Sequence, residues 1–138
     1  MVDDFTQCMV SNSRMAARAI TRRYDAYLRP YGITSTQLSL MGSITTLGSK
    51  SVSELAEARG FERTTLTRNL DRLEQMGLIA SRPAEKGNGR ICSVTAKGEV
   101  LIHELLPLWR RAQAETKALL SASGFDESLR VLKRLAAL

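Results

Sequence analysis

One histidine and two cysteines are all that this 138-residue sequence offers as soft metal ligands or near-neutral proton carriers. His103, Cys8 and Cys92 stand far apart, without the close-spaced pairs of a zinc site, so no metal and no other cofactor is expected. Two distant cysteines also exclude a disulfide framework. No local Ser, His and acid motif occurs, and no Walker or Rossmann glycine pattern, so an enzyme is not expected. Long hydrophobic runs are missing too. Nothing approaches the ~20 consecutive apolar residues that span a bilayer. The opening MVDDFTQCMV carries two acids and no apolar run, unlike a secretory signal. A reducing cytoplasm is the expected compartment, with no membrane partner.

What the chain does have is an ordinary globular balance, 43% hydrophobic and 25% charged, which argues against disorder. Lys and Arg number 20 against 14 acids, a formal charge of +6 that favours an anionic partner such as nucleic acid.

Helical periodicity dominates. Apolar positions from Met9 to Leu28 fall mostly on one broad face of a helix expected from about Phe5 to Arg29, ending near Pro30 and Gly32. Thr34 to Gln37 reads as a capping box opening a second helix, with Leu40, Met41, Ile44 and Leu47 inward, up to Gly48. Ser51 to Glu54 is another capping box, opening a short helix that meets Gly60. A further helix runs from about Arg63 to Met76. Leu78 to Arg82 and Arg90 to Val94 are strand-like and flank a glycine-rich loop, the pattern of a hairpin. A long helix follows Thr95, with a kink expected at Pro107. Ser121 to Gly124 breaks the chain before a last helix, Asp126 to about Ala137. The expected fold is mainly α with a small β-hairpin wing.

The informative stretch is Ser51 to Thr95: a capped helix, a glycine turn, a second helix and a hairpin, which together make a helix-turn-helix with a wing. A helix that reads DNA must pack one apolar face and offer short polar or cationic side chains on the other. At 100° per residue, Leu70 and Leu73 lie within about 40° of Leu66, while Thr64, Arg68, Asp71 and Gln75 lie opposite. Arg can pair with guanine, and Thr offers both a hydroxyl and a methyl to base edges. The candidate base-reading set is Arg63, Thr64, Thr65, Thr67, Arg68 and Arg72, weighted to the N-terminal part of the helix. The candidate phosphate contacts are Ser51 and Ser53. Between Arg82 and Lys97 the cations Arg82, Lys86, Arg90 and Lys97 face one acid, Glu85. Arg82, Lys86, Asn88 and Arg90 are therefore the hairpin candidates for phosphates or a narrow minor groove.

SVSELAEARGFERTTLTRNLDRLEQMGLIASR, with the basic loop and ICSVTAKG after it, resembles the MarR family of bacterial winged-helix regulators. The likeness is close from about Ile33 to Gly98. It implies an obligate homodimer, with residues 1–32 and 96–138 as dimerisation helices around a DNA-binding unit at 33–95. It also implies a pseudo-palindromic double-stranded operator, and a repressor released by a small phenolic or other aromatic effector or by oxidation. Two departures matter. Glu62 stands where the family usually opens the recognition helix with Ser or Thr. In the wing, Lys86-Gly87-Asn88 replaces an acid-x-Arg pattern, so either Arg90 or Lys86 substitutes for the missing arginine, or the hairpin register differs.

Three further readings follow. Peroxide-sensing members carry a reactive cysteine near the position of Cys8; a buried structural thiol is the simpler reading, because Asp3 and Asp4 are close by. Cys92 reads as a small filler on a strand. Tyr24, Tyr27 and Trp109 would line a ligand cleft as in relatives, although their helical spacing fits core or interface better. The rival from another class is a winged-helix protein-interaction module without DNA binding, which Asp71 and Glu74 would favour.

Overall fold

The computed structural model describes residues 3–48, 51–87 and 89–138. Among them are six α-helices and one two-stranded antiparallel sheet: α1 (Met9–Leu28), α2 (Ser35–Leu47), α3 (Val52–Arg59), α4 (Arg63–Gln75), β1 (Ile79–Pro83), β2 (Arg90–Val94), α5 (Ala96–Leu120) and α6 (Ala122–Ala136).

Local chemistry sets most boundaries. Thr34 and Ser51 each accept from the amide three residues on, while Gln37 and Glu54 reach back, so both capping boxes close. Two boundaries differ from expectation. The first helix starts at Met9 rather than Phe5, because Asp4 caps a separate 3-10 turn over Phe5–Gln7 and Cys8 becomes the cap of α1. The last helix starts at Ala122 rather than Asp126. Ser121, at φ 68°, absorbs the whole break, and its hydroxyl accepts from the Gly124 amide at 3.2 Å. α5 runs unbroken through Pro107 from Ala96 to Leu120.

The core lies in the middle of the chain. Leu40, Met41, Leu55, Leu66, Leu70, Leu73 and Leu105 are fully buried, with Leu28, Leu78, Ile79 and Cys92 closing the sides. The hairpin pairs Ile79 with Val94 and Pro83 with Arg90. Ser51 adds an isolated antiparallel bridge to Ile91, which ties the start of α3 to the hairpin.

The winged unit joins α5 through a tight seam. The Thr95 hydroxyl donates to the Gly77 carbonyl at 2.7 Å, and the Lys97 ammonium donates to the Met76 carbonyl at 2.8 Å. A cation is favoured there, where α4 ends and its carbonyls point outward. A Cβ on Gly98 would sit 2.2 Å from the Leu78 carbonyl oxygen, so only glycine lets α5 cross this close.

The outer helices are different. α1 buries only Leu28, and α6 buries nothing. Met9, Val10 and Met15 on α1, and Leu129, Leu132 and Leu135 on α6, remain exposed.

Candidate nucleic-acid interface

α3 and α4 are separated by Gly60, whose φ of 68° lets the chain leave α3 in the left-handed conformation. α4 then presents its three leucines inward at 0% exposure. Arg63, Thr64, Thr67, Arg68 and Arg72 are exposed on the other side, and Thr65 is half-buried. Glu62 makes no side-chain cap, which leaves the α4 N-terminus open to solvent. The expected two-sided helix is therefore present, with five of its six candidate readers free at the surface.

The serines divide. Ser53 is exposed, while Ser51 is half-buried, its oxygen accepting from the Glu54 amide at 3.1 Å. Capping is thus the visible work of Ser51.

The hairpin cations divide as well. Arg82 and Lys86 are exposed. Arg90 instead turns back onto α4, 2.8 Å from an Asp71 carboxylate oxygen and 3.7 Å from one of Glu74. Its second terminal nitrogen is buried without a hydrogen-bond partner. Glu74 also accepts the Ser81 amide at 3.2 Å, so one carboxylate holds both strands of the hairpin base. Lys97 is likewise engaged with the end of α4. Asn88 lies outside the described residues. Asp71 and Glu74, the acids that favoured a protein-interaction surface, thus have an internal role. Sequence reasoning missed this latch, although Asp71 and Glu74 at i and i+3 opposite a strand cation was the available signal.

Cys8 is half-exposed rather than buried, at the cap of α1. Hydrogen bonds from the Ser11 backbone and side chain and from the Val10 backbone hold its thiol below its ordinary pKa. Cys92 is buried, and burial pushes its thiol up.

Of the three aromatic cleft candidates the structure brings two together. Tyr24 and Trp109 line a cavity of about 530 Å³ between α1, α2 and α5. Tyr27 points elsewhere: its hydroxyl donates to Glu115 and its ring lies 5.3 Å from the Arg111 guanidinium carbon. Ile20, Leu38, Phe61, Ile102 and Leu106 complete the apolar walls; Ile102 and Leu106 share a helical stripe with Trp109, but no local period joins that stripe to α1 and Phe61. Among the described residues, no cluster of three or more His, Cys, Asp or Glu stands where a metal would sit, and no helix is long and apolar enough to cross a membrane.

A capped α3, a glycine turn, a two-faced α4 and a hairpin held against it define a winged helix-turn-helix protein. The family model for the MarR family matches residues 33–91. The chain is 36% identical to the M. tuberculosis transcriptional regulator MosR, whose structure in complex with DNA superposes with a TM-score of 0.85 over 95% of each chain. It is 26% identical over 97 residues to an uncharacterized HTH-type transcriptional regulator of Bacillus subtilis, YwoH, covering 70% of this chain and 71% of that one. BpsR of Bordetella bronchiseptica, whose DNA binding is regulated by 6-hydroxynicotinic acid, has a TM-score of 0.88 over 100% of this chain and 99% of its own. At 15% identity it speaks for the fold alone. The chain belongs to the MarR family of winged-helix, DNA-binding transcriptional regulators.

Proposed function

We propose that this protein is a cytoplasmic, homodimeric repressor that catalyses nothing and binds a pseudo-palindromic operator through two copies of α4. The observation that carries this reading is the two-sided α4, with leucines sealed and Arg63, Thr64, Thr67, Arg68 and Arg72 exposed. Two copies would enter successive major grooves about 34–36 Å apart. The bare apolar faces of α1 and α6 support the dimer, since a second copy gives them something to pack against. On this reading residues 1–32 and 96–138 form the dimerisation elements and 33–95 the DNA-binding unit. The cavity beside Tyr24 and Trp109 would take a small aromatic effector that releases the operator.

Gel-shift titration against promoter fragments flanking its own gene is the direct test. Specific complexes whose affinity falls steeply with salt are expected. Arg68→Ala is expected to cost about 1–3 kcal/mol at one operator position. A complete lack of complex at low ionic strength would reject DNA binding; an equal loss on scrambled operators would move Arg68 to a phosphate.

One observation favours a second route of release. Cys8 is accessible and its thiol is held below its ordinary pKa, which raises the reactive thiolate fraction near neutral pH. Alkylation of Cys8 should outpace that of buried Cys92, with a pH midpoint below that of a free thiol. Peroxide should weaken operator binding by the wild type and spare Cys8→Ser. Equal loss in both proteins would remove Cys8 as a sensor.

A further inference from the structure

We infer that Asp25 is a positioning residue: it fixes the angle at which the winged unit sits on the outer helices, and with it the spacing of half-sites that the protein accepts. This rests on the reading of the protein as a homodimer that spans two half-sites. The outer helices first form a frame of their own. Tyr24 on α1 donates to Gln113 on α5. About one turn later Tyr27, its ring under the Arg111 guanidinium, donates to Glu115.

The winged unit meets this frame at both of its ends. At the α5 end the joint is crowded. Thr95 and Lys97 bond to the Gly77 and Met76 carbonyls, and the Gly98 backbone passes where a Cβ would strike the Leu78 carbonyl oxygen. At the α1 end Leu28 and Ile33 are buried in the core, but apolar contact is non-directional and tolerates rotation. Farther back along α1 packing gives little brace, because the cavity of about 530 Å³ lies between Ile20 and Thr21 on α1 and Leu38 and Gly42 on α2.

The Asp25 carboxylate supplies the missing direction. It accepts the Ser35 amide at 2.7 Å, and among the described residues this is the one side-chain hydrogen bond between α1 and α2. Ser35 opens α2 behind the Thr34 and Gln37 capping box, so the carboxylate meets a fixed N–H at the positive end of that helix. Such a charge-assisted bond weakens steeply when bent. With the α5 joint already closed, this second pin stops the winged unit from swinging, and α4 is carried with it through the shared leucine core. One base pair moves a half-site by about 3.4 Å and turns it about 35° around the duplex. A rigid pair of α4 helices then misses the second half-site and forfeits joint binding, whereas a pair that can swing keeps much of it.

The test uses the full-length protein and a palindromic duplex recovered by selection from random-sequence DNA, rebuilt with one base pair added or removed at its centre. Wild type is expected to lose about ten-fold or more in affinity at either altered spacing. Asp25→Ala, a change that suits a helix, should bind the three duplexes within about three-fold of one another. Ser35→Pro breaks the same bond from the other side and should show the same flat profile. Proline lacks the amide and is tolerated at the first helical position, here after the extended Thr34. Asp25→Asn keeps an acceptor oxygen and should keep the sharp profile. Affinity for a single half-site should be equal in all four proteins, which a merely weakened winged unit would not give. A sharp profile in Asp25→Ala, or an equal loss at all three spacings, would overturn the inference while the two-half-site reading stands. Ser35→Pro decides the matter if Asp25→Ala does not fold. Failure to recover any duplex, or a flat wild-type profile, would remove the two-half-site reading and this inference with it.

Discussion

The winged unit and the outer helices use their apolar residues in opposite ways. In the middle of the chain, leucines from α2, α3, α4 and α5 converge and lose essentially all contact with water. At the ends, Met9, Val10 and Met15 on α1 and Leu129, Leu132 and Leu135 on α6 stay at the surface. The middle is closed within one chain; the ends are not. A two-sided helix that finds its cover within the chain makes a domain, whereas one that finds none leaves an apolar surface, which the proposed second copy would cover.

The sharpest way to break this contrast is to charge the open face. Leu132→Asp with Leu135→Asp should convert the proposed dimer to a monomer in sedimentation and lower operator affinity about a hundred-fold or more, because the second half-site would no longer be tethered to the first. The helical content of the winged unit should survive. A variant that remains a dimer would show that α6 is not the interface.

The seam between the regions comes next. Gly98→Ala places a methyl 2.2 Å from the Leu78 carbonyl and 2.7 Å from the Val94 side chain. Backbone has to give way, so a loss of about 1–3 kcal/mol is expected in urea denaturation. A neutral substitution would mean that α5 is free to shift.

The smallest effect belongs to the latch inside the winged unit. The side chains of Arg90 and Asp71 are 27% and 51% exposed, so solvent screens the pair. A double-mutant cycle of Arg90→Ala and Asp71→Ala should give a coupling of about 0.5–1 kcal/mol. If Arg90→Ala instead lowers DNA affinity uniformly and leaves stability untouched, Arg90 is a phosphate contact and the latch reading fails.

Local signals in the sequence carried most of the fold. Both capping boxes, the leucine spacing of α4, the glycine turns and the hairpin are short-range features, and each reads out where its residues stand. The two misplaced helix starts are also local, but they depend on which of several polar residues wins the cap, as Asp4 and Ser121 do. The site was half legible. The outward face of α4 follows from a period of 3.6 residues. The destination of Arg90 does not, because it depends on how β2 crosses α4 in space. The same holds for the cavity, whose lining comes from three helices and the α3–α4 turn, and for Tyr27, which one helical turn from Tyr24 meets Glu115 instead.

With Arg90 latched to Asp71 and the Lys97 ammonium held by the Met76 carbonyl, the described tip of the hairpin carries one cation, Lys86, next to one anion, Glu85. Arg82 on β1 and Lys86 at the tip are then the hairpin cations left to release counterions at a duplex, so the helices supply the larger share of the salt sensitivity of binding. Neutralising both would then lower the salt slope by about two phosphates per subunit at most and leave the preference for bases beneath α4 as it was.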